Sequence, residues 1–353
     1  MIDLELTLKP LSPVHIGTGD EIDPLSYFIE KETFYRIDLD RLLSLLSPEE
    51  NRSLIDLIDK ASPLEVRSWL ERHAKSHNAV LYEAATTKRV SDEYESHKQD
   101  LNNQMLVHTL VRDSLDAVPI IPGSSLKGSI RTAVVNRFAE DVDIQDQRNL
   151  EPQVLGYLEY RQGRPPRVNL NADPFRCLRI PDVQFAKEDV ILHRLRNVKP
   201  AQQRTGRVLE ERSFNVVAET IRPGWDGKRF RLQFDADLDK QPGAHFQKHV
   251  PASFEELRNC ANNFYLETLG QEEKNYYRET EVMKFVSRLR EEAGKTDRFL
   301  LRVGRFSGVF SVTLHKHRQP HVRPIRGQRV YGKTCYLTES QQPLGWVVVQ
   351  KAS

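Results

Sequence analysis

The chain has 353 residues, which is enough for two ordinary domains with sizeable cores. Its 52 lysines and arginines nearly balance its 50 aspartates and glutamates, and the net charge of +2 excludes a simple polybasic tail protein. The sequence shows no apolar run long enough to span a membrane, and residues 1–5 alternate acidic with apolar residues, unlike a signal peptide. The three cysteines are far apart and form no C-x-x-C pair, which argues against a disulfide framework and a cysteine zinc site. We therefore expect a soluble, cytoplasmic protein.

The first predicted elements are strands. Residues 2–8 alternate aliphatic with polar side chains, a period of two that is typical of a half-buried antiparallel strand. A glycine loop follows at residues 17–20. Residues 27–29 and 34–37 are apolar and aromatic and flank four polar residues, which predicts a hairpin.

Helical signals begin at about residue 38. Ser47 and Ser62 each precede a glutamate by three residues and are followed directly by proline, a pattern typical of helix starts. The stretch as far as about residue 112 is charged and contains no glycine. The sequence therefore predicts a helical insertion over residues 38–117.

The second half of the chain mixes strands and helices without regular alternation. In chain order the pattern predicts a strand at 118–121, a helix at 126–138 capped by Ser124 or Ser125, an irregular stretch at 150–185, a strand at 230–234, a helical stretch from Ser253 to about 294, and strands at 299–303, 309–314 and 346–349. This arrangement predicts an α+β fold with antiparallel sheets packed on one side by helices.

Charge is unevenly distributed along the chain. Residues 298–338 contain nine lysines and arginines and no acidic residue. Residues 190–209 contain five lysines and arginines and, again, no acidic residue. One such segment is most simply a solvated loop, but two segments without competing carboxylates favour a polyanionic partner such as nucleic acid.

The most informative motif spans residues 121–131, with the sequence IPGSSLKGSIR. Pro-Gly ends a strand, and free amides at the following helix start are suited to binding phosphate. Lys127 and Arg131 lie one turn apart on one helix face, and Gly128 leaves room for another chain. The order of Lys127 and Gly128 differs from that of a nucleotide-hydrolase loop. An ordinary capped helix with two solvated cations explains the same residues equally well.

A glycine loop near the N-terminus contains His15, Gly17 and Gly19. The histidine can stack on a base, bind phosphate or act as a general base, although a packed histidine at a strand end is commoner. Asp20, Glu21 and Asp23 follow; they can gather a divalent metal, but three acidic residues in a loop are usually solvated. Ile22 stands where a dinucleotide-binding loop has its third glycine.

A third glycine loop, residues 302–308, has the sequence RVGRFSG. It pairs the charge of Arg302 and Arg305 with the ring of Phe306, a combination used to bind single-stranded RNA. A bulged hairpin is the simpler alternative.

Together these segments resemble the signatures of a known family. Residues 11–19 (LSPVHIGTG), 121–128 (IPGSSLKG) and 302–308 (RVGRFSG) resemble motifs of the RAMP superfamily of CRISPR-associated proteins. Their order, the helical insertion and the closing PLGW at 343–346 are most similar to the fifth Csm subunits of type III-A effector complexes. The similarity covers most of the chain.

This resemblance implies two ferredoxin-like (RRM-like) domains, which we place at residues 1–212, including the insertion, and at residues 213–353. It implies a non-catalytic subunit that caps the complex near the 3′ end of the crRNA and supports crRNA maturation and target RNA binding in antiviral defence. The implied partners are crRNA, target RNA and other Csm subunits, among them the repeated RAMP backbone subunit and the small helical subunit; no cofactor, metal, membrane or small-molecule substrate is expected. The candidate RNA-binding residues are His15, Gly17, Gly19, Gly123, Ser124, Ser125, Lys127, Gly128, Arg131, Arg302, Gly304, Arg305, Phe306 and Gly308.

Two alternatives remain from the sequence. The backbone paralogue of the family cleaves target RNA with an aspartate, and Asp23 occupies a comparable region; repeat-cleaving relatives use a histidine near the first glycine loop, as at His15. The chain can therefore be a metal-dependent or histidine-dependent endoribonuclease acting on crRNA or target RNA. It can also be a structural cap that contacts proteins and barely touches RNA.

Overall fold

A computed structural model describes most of the chain. The described residues are 3–60, 62–101, 105–140, 142–143, 147–198, 216–224, 226–234, 251, 253–277, 280–315 and 335–352. The fold is α+β, as predicted, and consists of mainly antiparallel sheets with helices packed against them. Within these ranges, no helix combines the length and the apolar character needed to cross a membrane.

The described part of the chain contains the following regular elements. The strands are β1 (Asp3–Pro10), β2 (Gly17–Ile22), β3 (Tyr27–Glu30), β4 (Thr33–Ile37), β5 (Val80–Thr86), β6 (Val107–Leu110), β7 (Ile120–Ile121), β8 (Leu158–Arg161), β9 (Arg164–Val168), β10 (Leu178–Arg179), β11 (Val183–Gln184), β12 (Val190–Val198), β13 (Val216–Ile221), β14 (Lys228–Phe234), β15 (Arg298–Arg302), β16 (Cys335–Thr338) and β17 (Trp346–Lys351). The helices are α1 (Leu39–Leu45), α2 (Pro48–Lys60), α3 (Pro63–Ser76), α4 (Lys88–His97), α5 (Gly123–Ala139), α6 (Leu150–Val154), α7 (Phe254–Asn275) and α8 (Thr280–Gly294).

The first sheet has five strands in the order β10-β14-β1-β17-β15, and all neighbours are antiparallel. The alternation predicted for the first strand is confirmed, since Leu6 and Leu8 are fully buried. Helices α7 and α8 pack against β15, and α5 packs against α7. This sheet and its helices bury Trp346, whose ring lies edge-on to that of Tyr265.

The second sheet has the strand order β2-β6-β13-β12-β5-β4-β3, and β16 also pairs with β12. Two of its pairings are parallel, β12 with β5 and β13 with β6. The predicted hairpin is confirmed in β3 and β4, which Lys31 and Glu32 join in left-handed conformation, with φ of 49° and 61°.

The predicted boundary at residue 212 falls outside the described residues, and the two-domain division stays a prediction. Both sheets combine strands from both sides of that position. In the first sheet β1 pairs with β14 and β17, and in the second β12 pairs with β13 and β16.

The helical insertion is partly corrected by the structure. Both predicted helix starts are confirmed, because Ser47 and Glu50 exchange backbone and side-chain hydrogen bonds and Ser62 and Glu65 form a capping box. Strands β5 and β6 lie within the predicted insertion, however, because they complete the second sheet beside β12 and β13.

Three further predictions differ from the structure. The predicted strand at 309–314 contains instead a short 3₁₀ helix, Val309–Ser311, because Ser311 and Thr313 donate side-chain hydrogen bonds back to backbone carbonyls. The predicted single helical stretch to residue 294 is two helices, α7 and α8. Residues 158–168, predicted as irregular, form the β8–β9 hairpin.

Candidate nucleic-acid interface

The first and third glycine loops are in direct contact. The amide of Arg305 donates a 2.8 Å hydrogen bond to the carbonyl oxygen of His15. Gly304 has φ of +86°, and a Cβ atom there would overlap that same carbonyl oxygen. The close approach of the two loops therefore requires glycine at position 304.

The imidazole of His15 is fully buried at this contact. Its Nδ1 donates to the carbonyl oxygen of Glu219 at 2.7 Å, and its ring lies 5.3 Å from that of Phe306. Burial lowers the pKa of His15 to about 4, so the ring is neutral at physiological pH. His15 therefore lacks the exposed positive charge that a phosphate ligand needs.

A buried carboxylate next to His15 was not identified from the sequence. Glu219 is fully buried and accepts hydrogen bonds from the amide of Leu110 (2.9 Å) and from Arg112 (2.8 Å). The Arg112 guanidinium stacks 3.9 Å from the ring centre of Tyr82. The one sequence signal for this cluster was a charged residue, Glu219, within the mainly apolar segment 216–221.

The first glycine loop is part of β2 rather than a separate loop. A Cβ atom at Gly17 would lie 2.7 Å from Nε2 of His15, so glycine leaves space beside the ring. Thr18 and Gly19 are exposed, and Gly19 has φ of +98°. This strand edge presents backbone and small side chains to solvent.

The motif at residues 121–131, here called the second motif, contains the start of helix α5, which lies three residues earlier than predicted. Its amides are less free than predicted, because Gly123 donates to the carboxylate of Asp182 at 2.8 Å and Ser125 donates to the carbonyl of Pro122. The cap position is Pro122, so neither Ser124 nor Ser125 is the cap. An aspartate complements the helix dipole at the position where a phosphate was expected.

The two cations of the second motif have different environments. Lys127 is half-buried and has no hydrogen-bond or ion-pair partner within the described ranges; burial lowers its pKa although Asp173 opposes the shift. Arg131 instead binds the carboxylates of Glu151 and Asp173 and donates to the hydroxyl of Tyr157 at 3.0 Å. The prediction of Arg131 as an RNA contact is therefore corrected, because its guanidinium is already neutralised by two carboxylates.

The environment of Arg302 differs even more from the predicted RNA contact. Its side chain is fully buried, where it pairs with the carboxylate of Glu272 and donates to the carbonyl of Leu344 at 2.9 Å. The guanidinium also lies 5.1 Å from the ring centre of Trp346. A side chain in this position stabilises the core and does not reach a bound RNA.

A hydrogen bond joins the second motif to the third. The Ser129 hydroxyl of α5 donates to the carbonyl oxygen of Arg302 at 2.9 Å, and the Tyr265 hydroxyl donates to the carbonyl of Ser129. Because His15 contacts the third loop from the other side, all three motifs form one contiguous region, which we call the loop junction.

The loop junction carries two cations without an ion-pair partner among the described residues, Lys127 and Arg305. Arg305 is exposed, and its guanidinium lies 5.2 Å from the ring of Phe306. Gly128 is exposed with open space around it, and Gly308 takes φ of 80° at the end of the third loop. This combination of accessible cations and an aromatic ring can bind the backbone of a polyanion.

The residues considered for catalysis do not form a cluster. Oδ1 of Asp23 accepts a 2.8 Å hydrogen bond from the amide of Leu25 in its own turn, and Asp20 is exposed. Within the described part of the chain, no three His, Cys, Asp or Glu side chains are placed to hold a metal ion.

Part of the predicted basic surface lies outside the described residues. These cations are Lys199, Arg204, Arg207, Lys316, Arg318, Arg323, Arg326, Arg329 and Lys333.

Comparison with known proteins identifies the class. The family model of the RAMP superfamily matches residues 7–309, and the chain belongs to this superfamily. Among individual proteins it is similar to those called CRISPR system Cms protein Csm5. The Mycobacterium tuberculosis protein is 24% identical over 266 residues, which are 64% of this chain and 70% of the relative. The Methanocaldococcus jannaschii protein is 22% identical over 324 residues, 89% of this chain and 73% of the relative.

Solved structures show the same fold. A chain of a cryo-EM structure of a Csm-crRNA-target RNA ternary complex, from a type III-A CRISPR-Cas system, superposes with a TM-score of 0.70 at 21% identity, covering 98% of this chain and all of that one. The crystal structure of T. onnurineus Csm5 superposes with a TM-score of 0.63 at 18% identity, covering 97% of this chain and 99% of that one.

Proposed function

We propose that this chain is a non-catalytic, RNA-binding subunit of a type III-A CRISPR (Csm) effector complex in the cytoplasm. In this role it caps the complex near the 3′ end of the crRNA, beside the repeated RAMP backbone subunit, and supports crRNA maturation and target RNA binding. The proposal is supported by the superfamily membership, by the similarity to Csm5 proteins and by the fold shared with a subunit of a Csm-crRNA-target RNA complex.

The observation that carries RNA binding is the loop junction with its two accessible cations. Lys127 and Arg305 contact phosphates, and Gly128 and the exposed edge at Thr18 and Gly19 allow the ribose–phosphate chain to approach closely. Contacts to the backbone carry little sequence information, which suits a subunit that must accept any spacer. Arg131 and Arg302 have no part in these contacts, because carboxylates neutralise both.

The experiment compares the double variant Lys127→Ala/Arg305→Ala with the parent chain. Binding of a fluorescein-labelled oligouridylate is measured at several salt concentrations. Each lost phosphate contact on a single strand lowers the slope of log K against log salt by about 0.7, so the double variant should lose about 1.4. The control is Arg52→Ala/Arg72→Ala, two exposed arginines on α2 and α3 of the insertion. An unchanged slope in a folded Lys127→Ala/Arg305→Ala variant would count against the proposal.

The geometry also favours a subunit without nuclease activity. The imidazole of His15 is buried and neutral with its Nδ1 proton donated to Glu219, and the carboxylate of Asp23 caps its own turn. Incubation of the purified protein with labelled RNA, with and without magnesium, tests this point. Cleavage that disappears in Asp23→Ala or His15→Ala would replace the proposal by an endoribonuclease.

A purely structural cap should give a different crosslinking result from an RNA-binding subunit. In the assembled complex, photo-crosslinking from the crRNA should reach the loop junction if the chain binds RNA. Crosslinks to neighbouring protein subunits alone would favour the structural cap.

A further inference from the structure

The β8–β9 hairpin stands apart from both large sheets. Among the strands that the structure describes, its two strands pair only with each other, and Gly163 closes the turn with φ of 69°. All five residues of β9 are exposed, while Leu158 at the start of β8 is buried. The hairpin is therefore anchored at its base and presents most of its side chains to solvent.

The hairpin concentrates positive charge on one face. Residues 158–172 contain three arginines and a single acidic residue, Glu159. The register sets Arg167 opposite Glu159 and Arg164 opposite Arg161, and directly opposed side chains point to the same face. An irregularity between these two pairs lets Arg164 and Arg167 share that face although they are three residues apart.

Two of the three arginines remain available for a ligand. Glu159 accepts a hydrogen bond from Arg161 at 2.9 Å and another from Asn169, so neither Arg164 nor Arg167 is hydrogen-bonded to it in the described part of the chain. Arg164 and Arg167 form no ion pair or hydrogen bond within the described ranges and are exposed. The face therefore carries two exposed guanidinium groups, of which that of Arg167 also interacts electrostatically with the opposing Glu159.

The chemistry around these arginines is that of a polar, anion-binding surface. An open cleft of about 380 Å³ lies at the hairpin base and is lined by Glu159, Arg161, Arg167, Asn169 and Asn171 among others. Tyr160, 64% exposed, lies between Glu159 and Arg161 and therefore on the opposite face of the strand. The exposed guanidinium groups of Arg164 and Arg167 match the phosphates of a single-stranded nucleic acid, which pair with cations.

The backbone of the hairpin argues against the main protein alternative. An exposed edge strand can recruit a strand of another protein through its backbone amides. The exposed strand β9 contains Pro165 and Pro166, which have no amide hydrogen to donate. Its side chains, not its edge, are therefore the surface that a partner can use.

The base of the hairpin is fixed to the loop junction. Arg131 of α5 donates to the hydroxyl of Tyr157, the residue before β8, and binds Asp173 beyond β9. Arg131 lies one helical turn from Lys127. The cation that was predicted to bind RNA thus holds the hairpin beside the proposed RNA surface.

We propose that the β8–β9 hairpin is a second RNA-binding element, in which Arg164 and Arg167 contact phosphates of a single-stranded RNA segment. The inference rests on the proposed function, because it extends the same RNA beyond the loop junction, but it uses none of the residues proposed there.

The test is the double variant Arg164→Ala/Arg167→Ala in the full chain, with the labelled oligouridylate as probe. Two lost contacts lower the salt slope by about 1.4, so between 50 and 200 mM salt the parent should lose about sevenfold more affinity than the variant. Arg164→Lys/Arg167→Lys keeps both charges and should retain the slope. The Arg52→Ala/Arg72→Ala variant is the control for total charge, and thermal melting verifies folding.

The outcomes separate the two proposals. If Arg164→Ala/Arg167→Ala has no effect while Lys127→Ala/Arg305→Ala flattens the slope, the hairpin proposal is overturned and the proposed function stands. If neither variant changes binding, both are overturned. If the hairpin variant binds RNA normally but no longer assembles with other Csm subunits, the hairpin is a protein-docking element and the RNA assignment is wrong.

Discussion

The amide of Arg305 and the carbonyl of His15 are joined by a 2.8 Å hydrogen bond, although the two residues lie at opposite ends of the chain. The bond holds one glycine loop against another, and Gly304 is the residue that lets the two backbones come so close. The integrity of the loop junction therefore depends on this contact.

Gly304→Ala should destabilise the protein strongly. The new Cβ would overlap the His15 carbonyl, and alanine is strained at φ of +86°, so a loss of about 2 kcal/mol or more in the free energy of unfolding is expected. Urea denaturation measures it. The matched control is Gly128→Ala, an exposed position in helix α5 with no atom within 4 Å of the new Cβ. It should stabilise the chain by about 0.5–1 kcal/mol. Equal effects of the two changes would contradict the described geometry.

The buried pair of Arg302 and Glu272 should behave as a structural ion pair. Arg302→Met leaves Glu272 uncompensated in the core and should cost about 3–5 kcal/mol in unfolding free energy. Arg302→Met/Glu272→Leu should be clearly more stable than the single variant, because no buried charge is left unpaired. Denaturation of the four members of this double-mutant cycle measures the coupling. Additive effects would show that the two side chains do not pair.

Arg131 should affect stability rather than RNA contacts. Arg131→Ala removes hydrogen bonds to two carboxylates and to Tyr157, and we expect a loss of about 2–3 kcal/mol. The slope of log K for RNA binding against log salt should be the same in Arg131→Ala as in the parent. In Lys127→Ala this slope should be lower. Denaturation and RNA titration on the same preparations measure the two quantities. A flattened slope for Arg131→Ala at full stability would restore it as a phosphate contact.

The parts of the fold that were predicted correctly depend on neighbours in the sequence. The starts of α2 and α3 follow from serines and glutamates three residues apart, and β1 from its strict alternation. Strands β5 and β6 were missed because their pairing partners, β4 and β12 for β5 and β2 and β13 for β6, are all distant in the sequence. Their own residues do not distinguish a strand from a charged helix.

In the candidate site, too, the features that were predicted correctly have a local signal in the sequence, and the missed ones depend on distant residues. The sequence identified the three glycine loops, whose close backbone approach needs residues without a side chain. It did not show which arginines were already paired, because Glu272 and Asp173 reach Arg302 and Arg131 from elements distant in the chain. For Arg302 a local signal existed, since it stands among Leu300, Leu301 and Val303 in an apolar strand, where a cation is buried only with a partner.

His15 should make the stability of the protein depend on pH in a defined window. Its pKa is about 4 in the folded chain and about 6.5 when unfolded, so as pH falls below about 6.5 the unfolded chain takes up a proton that the folded chain does not. The contribution is present in full above about pH 6.5 and is lost progressively down to pH 4, by about 3 kcal/mol in total. In His15→Asn the side-chain amide can still donate to the Glu219 carbonyl but does not titrate. Urea denaturation of both proteins at pH 7, 5.5 and 4 should therefore show the parent losing about 3 kcal/mol more than His15→Asn, with titrating groups remote from His15 cancelling in the difference. Parallel pH curves for the two proteins would mean that the imidazole of His15 is protonated as readily in the fold as in the unfolded chain, which contradicts its burial at the loop junction.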